Sequence, residues 1–237
     1  MTLQAVVVRF PGSNCDEDAH HAAATLLGAE ARLVSHDTAD LGEPDIVILP
    51  GGFSYGDYLR CGAMARFTKA MDFVARYAER GGAVLGICNG FQILCEAGLL
   101  PGALVQNSGL RFVCKDVYIR VETSRTFLTG GVPPGTVLRM PIAHGDGNWR
   151  APEGALDGIV SRDQVLFRYV NAAGEREEGA NPNGSLDDVA GLSNERGNVV
   201  ALMPHPERAG DALLGGTDGA VLFQAAARSL LSKLVRS

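Results

Sequence analysis

Cys88 sits in Gly86-Ile-Cys88-Asn-Gly90, directly after the apolar run Ala83 to Ile87 and before helix-type spacing in Phe91, Ile93, Leu94 and Ala97. A period change of this kind predicts a buried strand that turns sharply into a helix. It is the thiol counterpart of the G-x-S-x-G nucleophile elbow. Flanking glycines let the backbone crowd the turn and leave the central side chain projecting into open space. The positive end of the following helix favours thiolate over thiol. The amide of Asn89 is an orphan donor of the first helical turn, available to a developing oxyanion. A thiolate there can attack a carbonyl carbon. A cysteine by itself is more often an inert core residue, so partners elsewhere in the chain must decide.

Met203-Pro-His205-Pro-Glu207-Arg208 offers them. Two prolines exclude a helix, and in an extended segment residues two apart share a side, which sets Glu207 beside His205. A carboxylate holding one imidazole nitrogen leaves the other to exchange a proton with a thiol. Alone, the segment reads more readily as a surface turn, and it is the elbow at a neighbouring strand end that favours the triad. Gly51-Gly52, after the apolar run ending at Leu49, can present the amide of Gly52 as a second oxyanion donor, opposite Asn89. An ordinary glycine turn remains open for it. No Gly-Lys-Ser/Thr follows, so it is no Walker loop. No metal-ligand cluster is evident, and His20, His21 and His144 read as surface or satisfied histidines.

These residues need a scaffold that brings them to one edge. Ala5 to Val8, Ala31 to Val34, Asp45 to Leu49 and Ala83 to Ile87 read as strands. Between them, one helix is predicted from about Cys15 to Leu27, capped by Asn14 or Ser13 and carrying Asp16, Glu17 and Asp18 at its positive end. Another is predicted with Leu59, Ala63, Phe67, Met71, Val74 and Ala78 along one face. Strands alternating with helices imply a parallel sheet covered on both faces, with chemistry beyond the carboxyl ends of its strands. After residue 100, strand-like runs at Phe112–Val121, Thr136–Ile142, Gln164–Val170, Val189–Leu192 and Val199–Met203 predict an antiparallel extension of the same sheet. A closing helix from about Asp218 to Leu234 carries Leu222, Ala226, Leu230 and Leu234 at steps of four. The expected architecture is a single α/β domain over residues 3–235: a mostly parallel central sheet flanked by helices, with an antiparallel extension.

The 237 residues carry a formal net charge of −6, and no basic stripe suggests nucleic acid. No apolar run approaches membrane-spanning length, and the chain begins without a signal-peptide layout. Five cysteines without C-x-x-C spacing argue against a disulfide framework or zinc ribbon. A cytoplasmic location is expected.

Gly86-Ile-Cys88-Asn-Gly90 with Gln92, Pro50-Gly-Gly52 and His205-Pro-Glu207 resemble the class I glutamine amidotransferases. That resemblance implies a Cys-His-Glu triad, Cys88, His205 and Glu207, that hydrolyses L-glutamine to glutamate and ammonia. Gly52 and Asn89 would supply the oxyanion amides. Gly51, Phe53, Gln92, Asn107 and Phe112 would bind the glutamine. Arg9–Cys15, Gly51–Gly62, Asn181–Ser185 and Met203–Arg208 are similar to one branch, the glutaminase subunits of phosphoribosylformylglycinamidine synthases. The branch implies a synthetase partner that carries ATP and magnesium, a small bridging subunit, and no cofactor in this chain. Ala143–Trp149 departs from it, because relatives more often carry Glu and Tyr around that glycine turn. From the residues, a partner-free hydrolase of γ-glutamyl amides and a catalytically silent binding subunit remain the rival readings.

Overall fold

The computed structural model describes residues 2–235. In chain order the strands are β1 (Gln4–Arg9), β2 (Glu30–Ser35), β3 (Ile46–Leu49), β4 (Ala83–Ile87), β5 (Ala103–Val105), β6 (Val113–Val121), β7 (Val137–His144), β8 (Asn148–Arg150), β9 (Val165–Val170), β10 (Val189–Ser193) and β11 (Val199–Leu202). The helices are α1 (Asp16–Thr25), α2 (Lys69–Glu79), α3 (Asn89–Glu96), α4 (Ala155–Ser161) and α5 (Asp218–Leu234). Nine strands form one sheet in the order β2-β1-β3-β4-β11-β10-β9-β6-β7, and β5 pairs with β8 apart from it.

From β2 to β11 every pairing is parallel; from β11 through β10, β9 and β6 to β7 every pairing is antiparallel. The strands β3, β4, β9, β10 and β11 are buried along their whole length. The almost wholly aliphatic runs of β3, β4 and β11 suit strands covered on both faces. Helix α3 packs over β3, β4 and β11. The register is direct, with Leu49 opposite Gly86 and Gly86 opposite Ala201. The carboxyl ends of β3, β4 and β11 therefore lie side by side, and the segments after them share one rim.

Several local expectations are corrected. The predicted helix over residues 59–78 is only α2; before it run two 3₁₀ turns, Ser54–Asp57 and Ala65–Phe67. Leu59 and Phe67 are exposed rather than on a packed face. Positive φ at Tyr55, Gly56, Asp57, Leu59 and Gly62 breaks helical continuity there. Neither Asn14 nor Ser13 caps α1: Cys15 occupies the cap and makes no side-chain capping bond. The short elements β5, β8 and α4 carried too little periodicity to be predicted. Helix α5 buries Leu222, Ala226 and Leu230, with Leu234 half-buried, as its spacing requires.

Candidate active site

Cys88 is the junction between β4 and α3, with φ 50° and ψ −104°. That conformation is strained for a residue with a side chain. It is held because Gly86 and Gly90 press together across the turn: a Cβ on Gly86 would meet the Gly90 carbonyl at 2.8 Å, and one on Gly90 would collide with the Leu49 backbone. The sulfur lies at the positive end of α3, 3.9 Å from the Ala143 carbonyl oxygen.

His205 follows β11 and Cys88 follows β4, its parallel neighbour. His205 and Glu207 are both almost wholly buried. The Nδ1 of His205 meets the Glu207 Oε1 at 2.6 Å. The pair forms as the sequence requires but by a different route: residues Pro206–Arg208 make a 3₁₀ turn rather than an extended stretch. The His205 amide donates to the Pro141 carbonyl at 2.9 Å, tying this turn to β7. Burial opposes an imidazolium, but the Glu207 carboxylate and the Cys88 sulfur outweigh it, and His205 is raised well above its ordinary value. Nε2 has no aligned hydrogen-bond partner, and the Cys88 and Cys15 sulfurs are both near enough to act on the ring.

On the other side of Cys88, the loop after β3 is pinned by two backbone bonds, Cys15 amide to Gly51 carbonyl at 3.3 Å and Phe53 amide to Gly12 carbonyl at 3.0 Å. Gly52 has φ +145° and a Cβ there would lie 2.7 Å from the Ser13 Cα, so only glycine fits. Cys88 and Gly52 border two adjoining cavities, of about 70 and about 220 Å³. His205 and Arg208 line the smaller, Gln92 the larger, and Phe53 and Phe112 both.

Two expected glutamine contacts lie behind these walls. Asn107 is buried and does not line the cavities: its Nδ2 donates to the Arg111 and His144 carbonyls, and its Oδ1 accepts from the Gly147 amide. Gly51 packs against the His205 ring, where a Cβ would come within 2.7 Å. Gln92 lines the larger cavity with its amide engaged, donating to the Asp146 carbonyl at 2.6 Å and accepting from Asn89 Nδ2 at 2.8 Å. His144, expected as a surface or satisfied histidine, is buried with Nε2 unpartnered. Burial, reinforced by repulsion from His205, lowers it to about 4.

Cys15 and Arg208 were not singled out from the sequence. Cys15 Sγ, a His205 nitrogen and a Glu207 oxygen lie within 4.8 Å of one another. Arg208 Nη2 donates to that sulfur at 3.2 Å. A guanidinium so close disfavours a metal cation among these donors. The available signal was positional: Cys15 follows β1, a parallel strand ending at the same rim.

A domain model described as a CobB/CobQ-like glutamine amidotransferase domain matches residues 2–216. The chain belongs to the glutamine amidotransferase family.

Within that family, the PurQ subunit of phosphoribosylformylglycinamidine synthase from Salinibacter ruber is 56% identical over 224 residues, 94% of this chain and 95% of that protein. The PurQ subunit of a Nostoc species is 52% identical over 229 residues, 97% of each chain. Among solved structures, PurLQS from Thermotoga maritima superposes with a TM-score of 0.85 at 46% identity, covering 97% of this chain and 100% of that one. A second glutamine amidotransferase from Thermotoga maritima, 17% identical with a TM-score of 0.59 over the full length of both chains, shares the fold. Glutamine amidotransferases of this fold thus retain one architecture at low identity. No helix among the described residues is long and apolar enough to cross a membrane.

Proposed function

We propose that this chain is the glutaminase subunit of a phosphoribosylformylglycinamidine synthase. In this reading it hydrolyses L-glutamine and passes ammonia to an ATP-dependent synthetase that converts formylglycinamide ribonucleotide to the amidine. The observation that carries it is a strained thiol, a glutamate-backed imidazole and Gly52 meeting at one cavity wall, in a chain more than half identical to PurQ subunits along nearly its whole length.

In this reading the residues at the cavity wall take the following roles. Cys88 thiolate attacks the side-chain carboxamide carbon, and the new oxyanion is held by the amides of Gly52 and Asn89. His205, kept protonated by Glu207, gives its proton to the departing nitrogen, leaving a γ-glutamyl thioester and ammonia. The now neutral imidazole takes a proton from water, whose oxygen attacks the thioester; glutamate leaves and Cys88 is regenerated. Gln92, Phe53 and Phe112 shape the chamber for the amino acid, with Gly51 and Asn107 supporting it from behind. Ammonia released into water would become ammonium and lose its nucleophilic lone pair, so the synthetase must receive it along a sealed route.

The domain spans residues 3–235 and needs no cofactor; ATP and magnesium belong to the synthetase, with a small bridging subunit completing a cytoplasmic complex. Amidine formation by the reconstituted complex tests this reading. With Cys88→Ala, glutamine-dependent synthesis should vanish while ammonium-dependent synthesis persists. Glutamine-dependent synthesis that survives the substitution would favour the silent-subunit reading, and glutamate release from γ-glutamyl peptides without a partner would favour the free hydrolase.

A further inference from the structure

The string Asn181–Ser185, part of the resemblance to one branch of the family, lines neither cavity at Cys88. It lies between β9 and β10 and is closed by its own side chains. Asn181 Oδ1 accepts from the amides of Asn183 at 3.2 Å and Gly184 at 2.9 Å, and its Nδ2 donates to the Ser185 carbonyl and to Asp188 Oδ1. Asn183 is wholly buried. Its Oδ1 accepts from the Ser185 amide at 3.0 Å, and its Nδ2 donates to the hydroxyl of buried Tyr169 on β9 at 3.2 Å. Asparagine side chains that bond backbone a few residues on fix a turn's shape. The Tyr169 bond fixes its height on the sheet.

Residues 108–112 rest on this loop. The Ser108 amide donates to the Asn183 carbonyl at 2.9 Å. Among the described residues, no other hydrogen bond ties residues 108–112 to a part of the chain beyond Asn107. Gly184, at φ +80°, presents bare backbone to the same serine: a Cβ there would lie 2.6 Å from Ser108 Oγ and 2.7 Å from Ser108 Cβ. Residues 108–112 are otherwise exposed. The last of them, Phe112, lines both cavities, with its ring 6.3 Å from that of Phe53. The backbone of residues 183 and 184 is thus the support from which this stretch reaches the chamber.

We propose that Asn183 and Gly184 are positioning residues for the glutaminase reaction, setting how closely residues 108–112 close over the chamber that holds Cys88. This rests on the reading of the chain as a glutaminase. A side chain added at the support pushes Ser108 outward, carries Phe112 with it and opens the chamber without touching the triad.

The test uses Gly184→Ala, Ser108→Val and the double variant Gly184→Ala with Ser108→Gly, each assembled with the synthetase. Gly184→Ala and Ser108→Val press on the same contact from opposite sides. Each should raise the KM for glutamine about tenfold, as overpacking of a close contact does, with kcat within about twofold of wild type. Each should also speed labelling of Cys88 by N-ethylmaleimide, followed by mass spectrometry, while ammonium-dependent synthesis is unchanged. Removing the Ser108 side chain makes room for the added methyl, so the double variant should recover both the KM and the slow labelling. Ser108 is exposed, so Ser108→Val carries the test if Gly184→Ala does not fold. Wild-type KM and labelling in the single variants, losses shared equally by glutamine- and ammonium-dependent synthesis, or no recovery in the double variant overturns the proposal. Failure of the wild-type complex to release glutamate overturns the glutaminase reading instead, and the labelling series still reads the contact.

Discussion

His205 and His144 show how one sheet rim sets two buried imidazoles to opposite tasks. His205 has a carboxylate at 2.6 Å and is raised; His144 has only a neutral amide and is lowered to about 4. An acid that must protonate departing ammonia works while it holds its proton, so a raised value moves the alkaline limb of the rate profile upward. Glu207→Gln removes the charge that overcomes burial. It should shift the alkaline limb of kcat/KM to lower pH and reduce kcat by about a hundredfold. A pH–rate profile of wild type and variant checks both; a limb that does not move would separate Glu207 from the titration of His205.

At the scale of elements, the elbow depends on two tight contacts. Gly90 lets α3 start against the end of β3, and Gly52 lets the neighbouring loop cross Ser13. Adding a methyl at residue 90 presses on backbone rather than on a flexible side chain. Gly90→Ala should therefore destabilise the fold by about 3 kcal/mol or more, measurable by urea denaturation, and should distort the Cys88 turn. Spacing was sufficient to locate β4 and α3 because a buried strand and a helix have different periods. It failed over residues 59–68, where apolar side chains at helical intervals sit on a backbone with repeated positive φ. Leu59 and Phe67 matched the pattern of a packed face and are exposed. A period describes a helix only where the backbone can propagate one.

Across the whole molecule, the antiparallel end of the sheet returns to the parallel end. Strand β7 is four places beyond β11, yet its Pro141 carbonyl accepts from the His205 amide and its Ala143 carbonyl lies beside Cys88. The return also buries His144, with a consequence for stability. A histidine lowered in the fold supports the native state fully above about pH 6.5, and that support is lost as the pH falls toward about 4. His205 acts in the opposite sense, its contribution present at low pH and lost as pH rises through its raised value. His144→Asn should flatten the acid limb, so that wild type loses on the order of 3 kcal/mol more than the variant between about pH 7.5 and about pH 4.5. Urea midpoints at the two pH values decide it; parallel losses would show that His144 does not charge on unfolding.

The sequence alone determined the elbow at Cys88, the His205–Glu207 pair and the alternation that sends β3 and β4 to one rim; β11, expected in the antiparallel extension, is placed beside them by its parallel pairing with β4. The first three are local: a change of period, a spacing of two residues, a buried apolar run. It also supplied the resemblance that named the chemistry. Which side chains line the chamber was decided only in three dimensions. Asn107 and Gly51, expected at the substrate, stand behind the wall, while Asp57, Asp146 and Cys15 stand at it. These residues come from loops after different strands and have no common spacing. Their positions depend on the return of β7 toward β11, a long-range closure that side-chain periodicity does not encode.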